Sequence, residues 1–72
     1  MVWFEITNQI AAAVVMGLSA IGSAYAIAVT GSAAAGATAE KPEVFGKVLI
    51  FVALAEALAI YGLVVALMIL MG

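Results

Sequence analysis

A single carboxylate lies in the middle of the apolar stretch Leu54-Ala55-Glu56-Ala57-Leu58-Ala59-Ile60-Tyr61-Gly62. From Val48 to Met71 the only other ionisable side chain is the phenol of Tyr61. A charged carboxylate in hydrocarbon is costly even on lenient insertion scales, so an acid at this depth indicates a functional site. The alternative to charge is a bound proton, because desolvation favours the neutral form of an acid. Glu56 is therefore a candidate ion carrier.

The composition indicates a small membrane protein. Of the 72 residues, 69% are hydrophobic and 8% are charged. The chain is too short and too apolar to be a soluble globular domain. Cysteine and histidine are absent, and the sequence has no nucleophile–base pair and no phosphate-binding loop. We therefore expect no catalytic residue, no metal site and no cofactor. The net charge of -2 argues against nucleic acid as a partner.

The first predicted helix covers about residues 5–39. Residues 10–39 contain no charge and no proline, and as a helix they would be about 45 Å long, more than the roughly 30 Å of hydrocarbon in a bilayer. Trp3 suits the membrane interface. The segment before Ile10 lacks a positive region and contains Glu5, so we interpret it as mature sequence rather than a signal peptide.

Small side chains recur every four residues along this helix. One row is Ala20, Ala24, Ala28, Ser32 and Gly36, and the adjacent row is Gly22, Ala26, Thr30, Ala34 and Thr38. Gly31 lies beside these rows. Rows of this kind let helix backbones approach closely in lipid, where packing drives association. They predict that helix one packs in a crowded interior, although alanine is also simply the best helix former.

A polar turn and a second helix follow. Residues 40–43 contain the only proline, Pro42, which suits the opening of a new helix, predicted over about residues 44–71. Lys41 and Lys47 are the only basic residues and lie at this end. The positive-inside rule therefore places the loop in the cytoplasm and both termini outside, as a multi-pass protein of the cell membrane. The predicted fold is all-α: residues 1–72 form one two-helix transmembrane hairpin.

The hairpin has one thin helix and one bulky helix, because helix two is rich in Val, Leu, Ile and Met. Wedges of that shape close head to tail into a homo-oligomeric ring in the bilayer. Glu56 falls near the midplane, and residues 25–27 are expected at about its level, with Ser23 up to a turn further from the loop. The polar side chains within its reach are those of Tyr61 and Ser23, with Tyr25 as a further candidate. Each hydroxyl has an alternative partner, since a buried Tyr can donate to any nearby carbonyl and a helical Ser can donate to a carbonyl of its own preceding turn.

These features resemble the proteolipid rotor subunits of rotary ATPases, most of all the prokaryotic vacuolar and archaeal type. The resemblance is carried by Ser19-Ala20-Ile21-Gly22-Ser23-Ala24-Tyr25, Thr30-Gly31-Ser32-Ala33-Ala34-Ala35, Lys41-Pro42-Glu43-Val44-Phe45-Gly46 and Glu56-Ala57-Leu58-Ala59-Ile60-Tyr61-Gly62. It covers nearly the whole chain beyond the first ten residues. It implies a V-type ATPase proteolipid in a membrane V0 sector, with no enzymatic activity of its own, that serves hydrogen ion transport and ATP synthesis.

The resemblance also implies the mechanism and the partners. Glu56 would carry one ion per hairpin, a stator subunit would supply an intramembrane arginine, and the loop at 40–43 would contact the central stalk. Family members that move sodium supply further oxygen ligands, and the corresponding positions here are Ser23, Ala57 and Leu58. Two of these have no side-chain oxygen, and a hard cation needs several, so a proton is the expected ion and sodium the alternative.

Two other classes share a tiny apolar chain with one buried acid. A small multidrug exporter needs about four helices around a shared aromatic cavity, whereas this sequence predicts two. A structural hairpin could use Glu56 only to hold its helices together, although interhelical polar contacts in membranes average under about 1 kcal/mol. Both are weaker interpretations than a rotor ring.

Overall fold

The computed structural model describes residues 2–72 as two long antiparallel helices joined by a short turn. Helix α1 is Val2–Glu40, helix α2 is Phe45–Met71, and a 3-10 turn over Pro42–Val44 precedes α2. No strand occurs among these residues, and the predicted all-α hairpin is confirmed. Helix α1 begins at Val2 rather than near residue 5, and the connection at 40–43 becomes Lys41 followed by the 3-10 turn.

The turn forms because Pro42 restricts the residue before it. Lys41 has φ -136° and ψ 88°, outside the helical region, as expected for a residue that precedes proline. The N–H of Lys41 donates to the carbonyl of Ala37 at 2.8 Å and closes α1. The N–H of Val44 then donates to the carbonyl of Lys41 at 3.0 Å, within the 3-10 turn that precedes α2. The chain therefore reverses within a few residues, and α2 packs along α1.

The two helices meet along a seam with a seven-residue repeat. On α2 the seam residues alternate spacings of four and three, and all are buried or half-buried: Val48, Val52, Ala55, Ala59, Gly62, Ala66 and Ile69. This spacing keeps one helix face on its partner in a left-handed packing. The buried residues of the described chain are all small, namely Ala12, Ser23, Ala55, Gly62 and Ala66. The backbones therefore approach closely.

The outer surface of the hairpin is apolar. Large side chains such as Leu18, Ile21, Phe51, Leu54 and Met68 are exposed. Both helices are long and apolar enough to cross a membrane. A surface of this kind is suited to lipid or to other apolar helices, because water would be a poor solvent for it.

Candidate functional site

Glu56 lies on an exposed flank of α2, away from the seam. It follows the buried Ala55 by one residue, which is a rotation of about 100° around the helix axis. Val52 and Ile60, one turn to either side of it on α2, are both apolar. Counted along the axis of α2, the backbone of Glu56 lies about 17 Å from Phe45 and about 23 Å from Met71. The structure thus presents one carboxylate to the outside, near the middle of an apolar helix.

Ser23 is the most buried of the predicted site residues, with 2% of its surface exposed. Its hydroxyl donates to the carbonyl of Ala55 at 2.9 Å, which is a hydrogen bond between α1 and α2. A helical serine can also donate to a carbonyl of its own preceding turn. Ser23 instead donates to a carbonyl of the other helix. The hydroxyl points to the backbone just before Glu56 and not to the carboxylate.

The pairing of Ser23 with Ala55 puts Glu56 at a different level of α1 from the one expected. Residues 25–27 were expected beside Glu56, but the contact lies about one turn further from the loop. The path to α2 includes the extended Lys41 and the 3-10 turn, which rises about 2.0 Å per residue instead of 1.5 Å. For the same number of residues, the path through the turn and α2 therefore reaches further from the loop than α1 does.

Two close contacts lie next to this hydrogen bond, both on the side away from the loop. A Cβ placed on Gly22 would meet Cδ2 of Leu58 at 3.3 Å, which is tighter than ordinary van der Waals contact. A Cβ placed on Gly62 would overlap both Oγ and Cβ of Ser19. Only glycine fits at position 62, since the overlap involves the stem of the serine as well as its hydroxyl. The helices thus pack closely just beyond the level of Glu56, on the side of the chain termini.

The two tyrosines lie elsewhere on the hairpin. Tyr61 is 75% exposed and stands about 140° from Glu56 around the α2 axis, on the opposite flank. Tyr25 is 74% exposed and points about 160° away from Ser23 on α1. Within residues 2–72, no side-chain hydrogen bond reaches Glu56. A single hairpin therefore brings Ser23 to the backbone of the site but does not bring either phenol to the carboxylate.

The predicted packing residues divide between two faces of α1. Gly22 faces α2, and Gly31 is half-buried at the edge of a groove between the helices. The exposed face of α1 carries the other four, Ala24, Ala28, Ser32 and Gly36. The Ser32 hydroxyl donates to the Ala28 carbonyl at 2.6 Å, so this polar group is satisfied within its own helix. This face lacks a partner within the hairpin.

Apolar grooves run along both flanks of the loop-proximal half. The groove on the Glu56 side has a volume of about 460 Å³ and lies between α1 from Gly31 onward and α2 near Leu49. The groove on the opposite side has a volume of about 340 Å³ and includes Phe51. Each flank therefore offers apolar recesses next to projecting side chains.

Together these features define a hairpin of two membrane-spanning helices with one carboxylate near the middle of the second. The chain belongs to the ATP synthase C-subunit family, whose family model matches residues 10–69. The matched region contains both Ser23 and Glu56. The interpretation as a proteolipid of this kind, and as a membrane protein, is confirmed.

Several relatives are similar over most of this chain. The K subunit of the A-type ATP synthase of Methanocaldococcus jannaschii is 48% identical over 61 residues, which are 85% of this chain and 26% of the relative. The c''2 subunit of the V-type proton ATPase of Arabidopsis thaliana is 44% identical over 59 residues, 82% of this chain and 33% of the relative. The 16 kDa proteolipid subunit c of the V-type proton ATPase of Homo sapiens is 37% identical over 59 residues, which are 82% of this chain and 38% of the relative. The chain thus spans about a third of these relatives. No solved structure matches it significantly.

Proposed function

We propose that this chain is a rotor-ring subunit of a rotary ATPase or ATP synthase and carries one proton per hairpin on Glu56. The observation that carries the proposal is the exposure of Glu56 on an apolar flank, near mid-depth of α2. A carboxylate that only held α1 and α2 together would face the seam and bond across it, as the Ser23 hydroxyl does. Glu56 instead faces outward, where it can meet a different environment as the hairpin moves.

The hairpins would assemble side by side into a homo-oligomeric ring. The exposed small face of α1, which includes Ala28 and Gly36, permits close packing of one α1 against the next. The flanks of α2 differ, since one carries Glu56 and the other carries Tyr61. A head-to-tail arrangement therefore brings the Tyr61 flank of one hairpin towards the Glu56 flank of its neighbour. In such a ring the phenol beside each carboxylate would come from the adjacent copy.

Rotation would follow from the two states of the carboxylate. Neutral Glu56 can face lipid, whereas the charged form is stable only beside water or a countercharge, because its hydration is lost in hydrocarbon. An intramembrane arginine on a stator subunit would supply that countercharge. Protonation from one side and release to the other would then move the ring in one direction. The subunit itself performs no chemistry on ATP, which other subunits would handle.

The proposed ion is a proton, because few oxygen atoms surround Glu56 in the hairpin. The Ser23 hydroxyl is buried and donates to the Ala55 carbonyl, so it is not available as a ligand on the flank. Ala57 and Leu58 have no side-chain oxygen. Sodium needs several oxygen ligands, whereas a protonated acid needs a single acceptor. Sodium transport remains the alternative and requires ligands from neighbouring hairpins.

The proposed orientation places the turn in the cytoplasm. Lys41 is exposed within the turn, and Lys47 is exposed on the first turns of α2. Glu40 and Glu43 are exposed on the same end, so the loop at 40–43 presents charged groups to a soluble partner. We assign this surface to the central-stalk subunit and place both termini on the outer side of the cell membrane.

Proton uptake driven by ATP tests the proposal in membrane vesicles that contain this chain as their only rotor subunit. Glu56→Gln removes the titratable group at nearly constant volume and is expected to abolish proton uptake. Glu5→Gln is the matched control, because Glu5 is an exposed acid at the far end of α1, and it is expected to retain uptake. Proton uptake by the Glu56→Gln ring would overturn the proposal.

A further inference from the structure

The hydrogen bond between Ser23 and Ala55 acts on the peptide unit that carries Glu56. The Ala55 carbonyl oxygen and the Glu56 nitrogen and Cα belong to one peptide group, which is planar and rigid. A donor that fixes this oxygen therefore fixes the height and the rotation of the Glu56 Cα. The donor is itself rigidly held, since Ser23 is 2% exposed and the bond is 2.9 Å long.

Close packing of the two helices near this hydrogen bond also restrains the Ala55–Glu56 peptide. Gly22 lies close to Leu58, and Gly62 leaves room for Ser19, so the helices are in tight contact over the two turns of α2 that follow Glu56. The other hydroxyls with bonds on the middle of α1, those of Thr30 and Ser32, donate to carbonyls of α1 itself. Within residues 2–72, the remaining side-chain bond between the helices is the 3.5 Å contact from Asn8 to Ile69 near the termini. Ser23 thus makes the short interhelical hydrogen bond at the depth of the carboxylate.

We infer that Ser23 is a positioning residue for the carrier, which holds the Ala55–Glu56 peptide so that the carboxylate stays on its flank at one depth. The role rests on the proposed function of Glu56. It differs from a role as ion ligand, because the hydroxyl is directed at the backbone and lies inside the hairpin. Every hairpin of a ring would then present its carboxylate to the stator in the same geometry.

The test is carbodiimide labelling of Glu56 across a pH series in the assembled ring, since the reagent reacts with the protonated acid. Ser23→Ala removes the hydroxyl and is expected to shift the pH of half-maximal labelling by about half a unit or more, equivalent to a roughly threefold change in the protonation equilibrium. Ser23→Thr keeps the hydroxyl and is expected to restore the profile. Thr7→Val is the control, because it removes an exposed hydroxyl of α1 that donates to a carbonyl of its own helix, far from the Ser23–Ala55 contact.

The thermal stability of each ring separates positioning from simple support of the fold. A Ser23→Ala ring that melts earlier but follows the wild-type pH profile would overturn the positioning role and leave the proposed function intact. A wild-type ring whose Glu56 is not labelled at any pH would overturn both. A displaced profile for Ser23→Ala, with Thr7→Val and Ser23→Thr on the wild-type profile, supports the inference.

Discussion

Replacing Gly62 with alanine is expected to separate the two helices next to Glu56. The added methyl group would occupy space that Oγ and Cβ of Ser19 already fill, so rotation of the serine cannot relieve the overlap. The helices would need to move apart by roughly 1–2 Å to restore ordinary carbon contacts. Ser23 lies one turn from Ser19, and its 2.9 Å bond to Ala55 would then exceed the hydrogen-bonding distance.

The magnitude follows from three effects. Overpacking of a close contact destabilises by about 1–3 kcal/mol, and loss of the hydrogen bond adds about 1 kcal/mol. Alanine returns about 1 kcal/mol, because it is a better helix former than glycine. The net expectation is a loss of about 1–3 kcal/mol, large enough to lower the thermal midpoint of the purified ring by several degrees. The assay is ring dissociation and loss of helical circular dichroism during heating.

Two further variants make the Gly62 prediction specific. Gly46→Ala is the same substitution in the same helix, at an exposed position where an added Cβ meets nothing within 4 Å, and it is expected to keep or raise the midpoint. Ser19→Gly removes both overlapping atoms and is expected to recover much of the loss when combined with Gly62→Ala. A Gly62→Ala ring as stable as wild type would refute the close packing of the seam at this level. Equal damage with and without Ser19→Gly would refute the assigned contact.

Other predictions concern the surfaces between hairpins. Ala28→Leu places a bulky side chain on the exposed small face of α1 and is expected to prevent ring assembly while leaving the monomer helical. Native electrophoresis measures assembly and circular dichroism measures helicity, with Val29→Leu as the control. Assembled Ala28→Leu rings would count against this packing face. Tyr61→Phe removes only the phenol hydroxyl and is expected to change the pH profile of Glu56 labelling, whereas Tyr25→Phe, on α1, is expected to leave it unchanged. Identical profiles for both tyrosine variants would argue against a phenol from the neighbouring hairpin.

The fold could be predicted because its determinants are local. The apolar runs, the proline turn and the rows of small residues each act within a few residues of sequence, and together they require a hairpin. The approximate depth of Glu56 along its helix then follows from helical rise alone. The predicted start of α1 near residue 5 is about one turn later than the observed start at Val2. The polar residues there, such as Thr7 and Asn8, suit an interfacial segment as well as a helix.

The details of the site depended on the register between helices, which the sequence does not encode locally. Ser23 could be recognised as a polar group near Glu56, but its bond to the Ala55 carbonyl depends on the geometry of the turn. The contact of Gly62 with Ser19 was missed, although the four-and-three spacing of small residues on α2 contained the signal. Tyr61 was interpreted as reaching Glu56 within one chain, whereas five residues of helix put the two side chains on opposite flanks.

The most direct test of the central claim is carbodiimide labelling of the purified wild-type ring over a range of pH, with and without sodium, followed by identification of the labelled residue. The proposed proton carrier predicts label on Glu56 that declines as the pH rises and is the same in both salts. Protection by sodium would contradict the proton assignment and indicate a cation site built with neighbouring hairpins. Absence of label on Glu56 at every pH would contradict the carrier role itself.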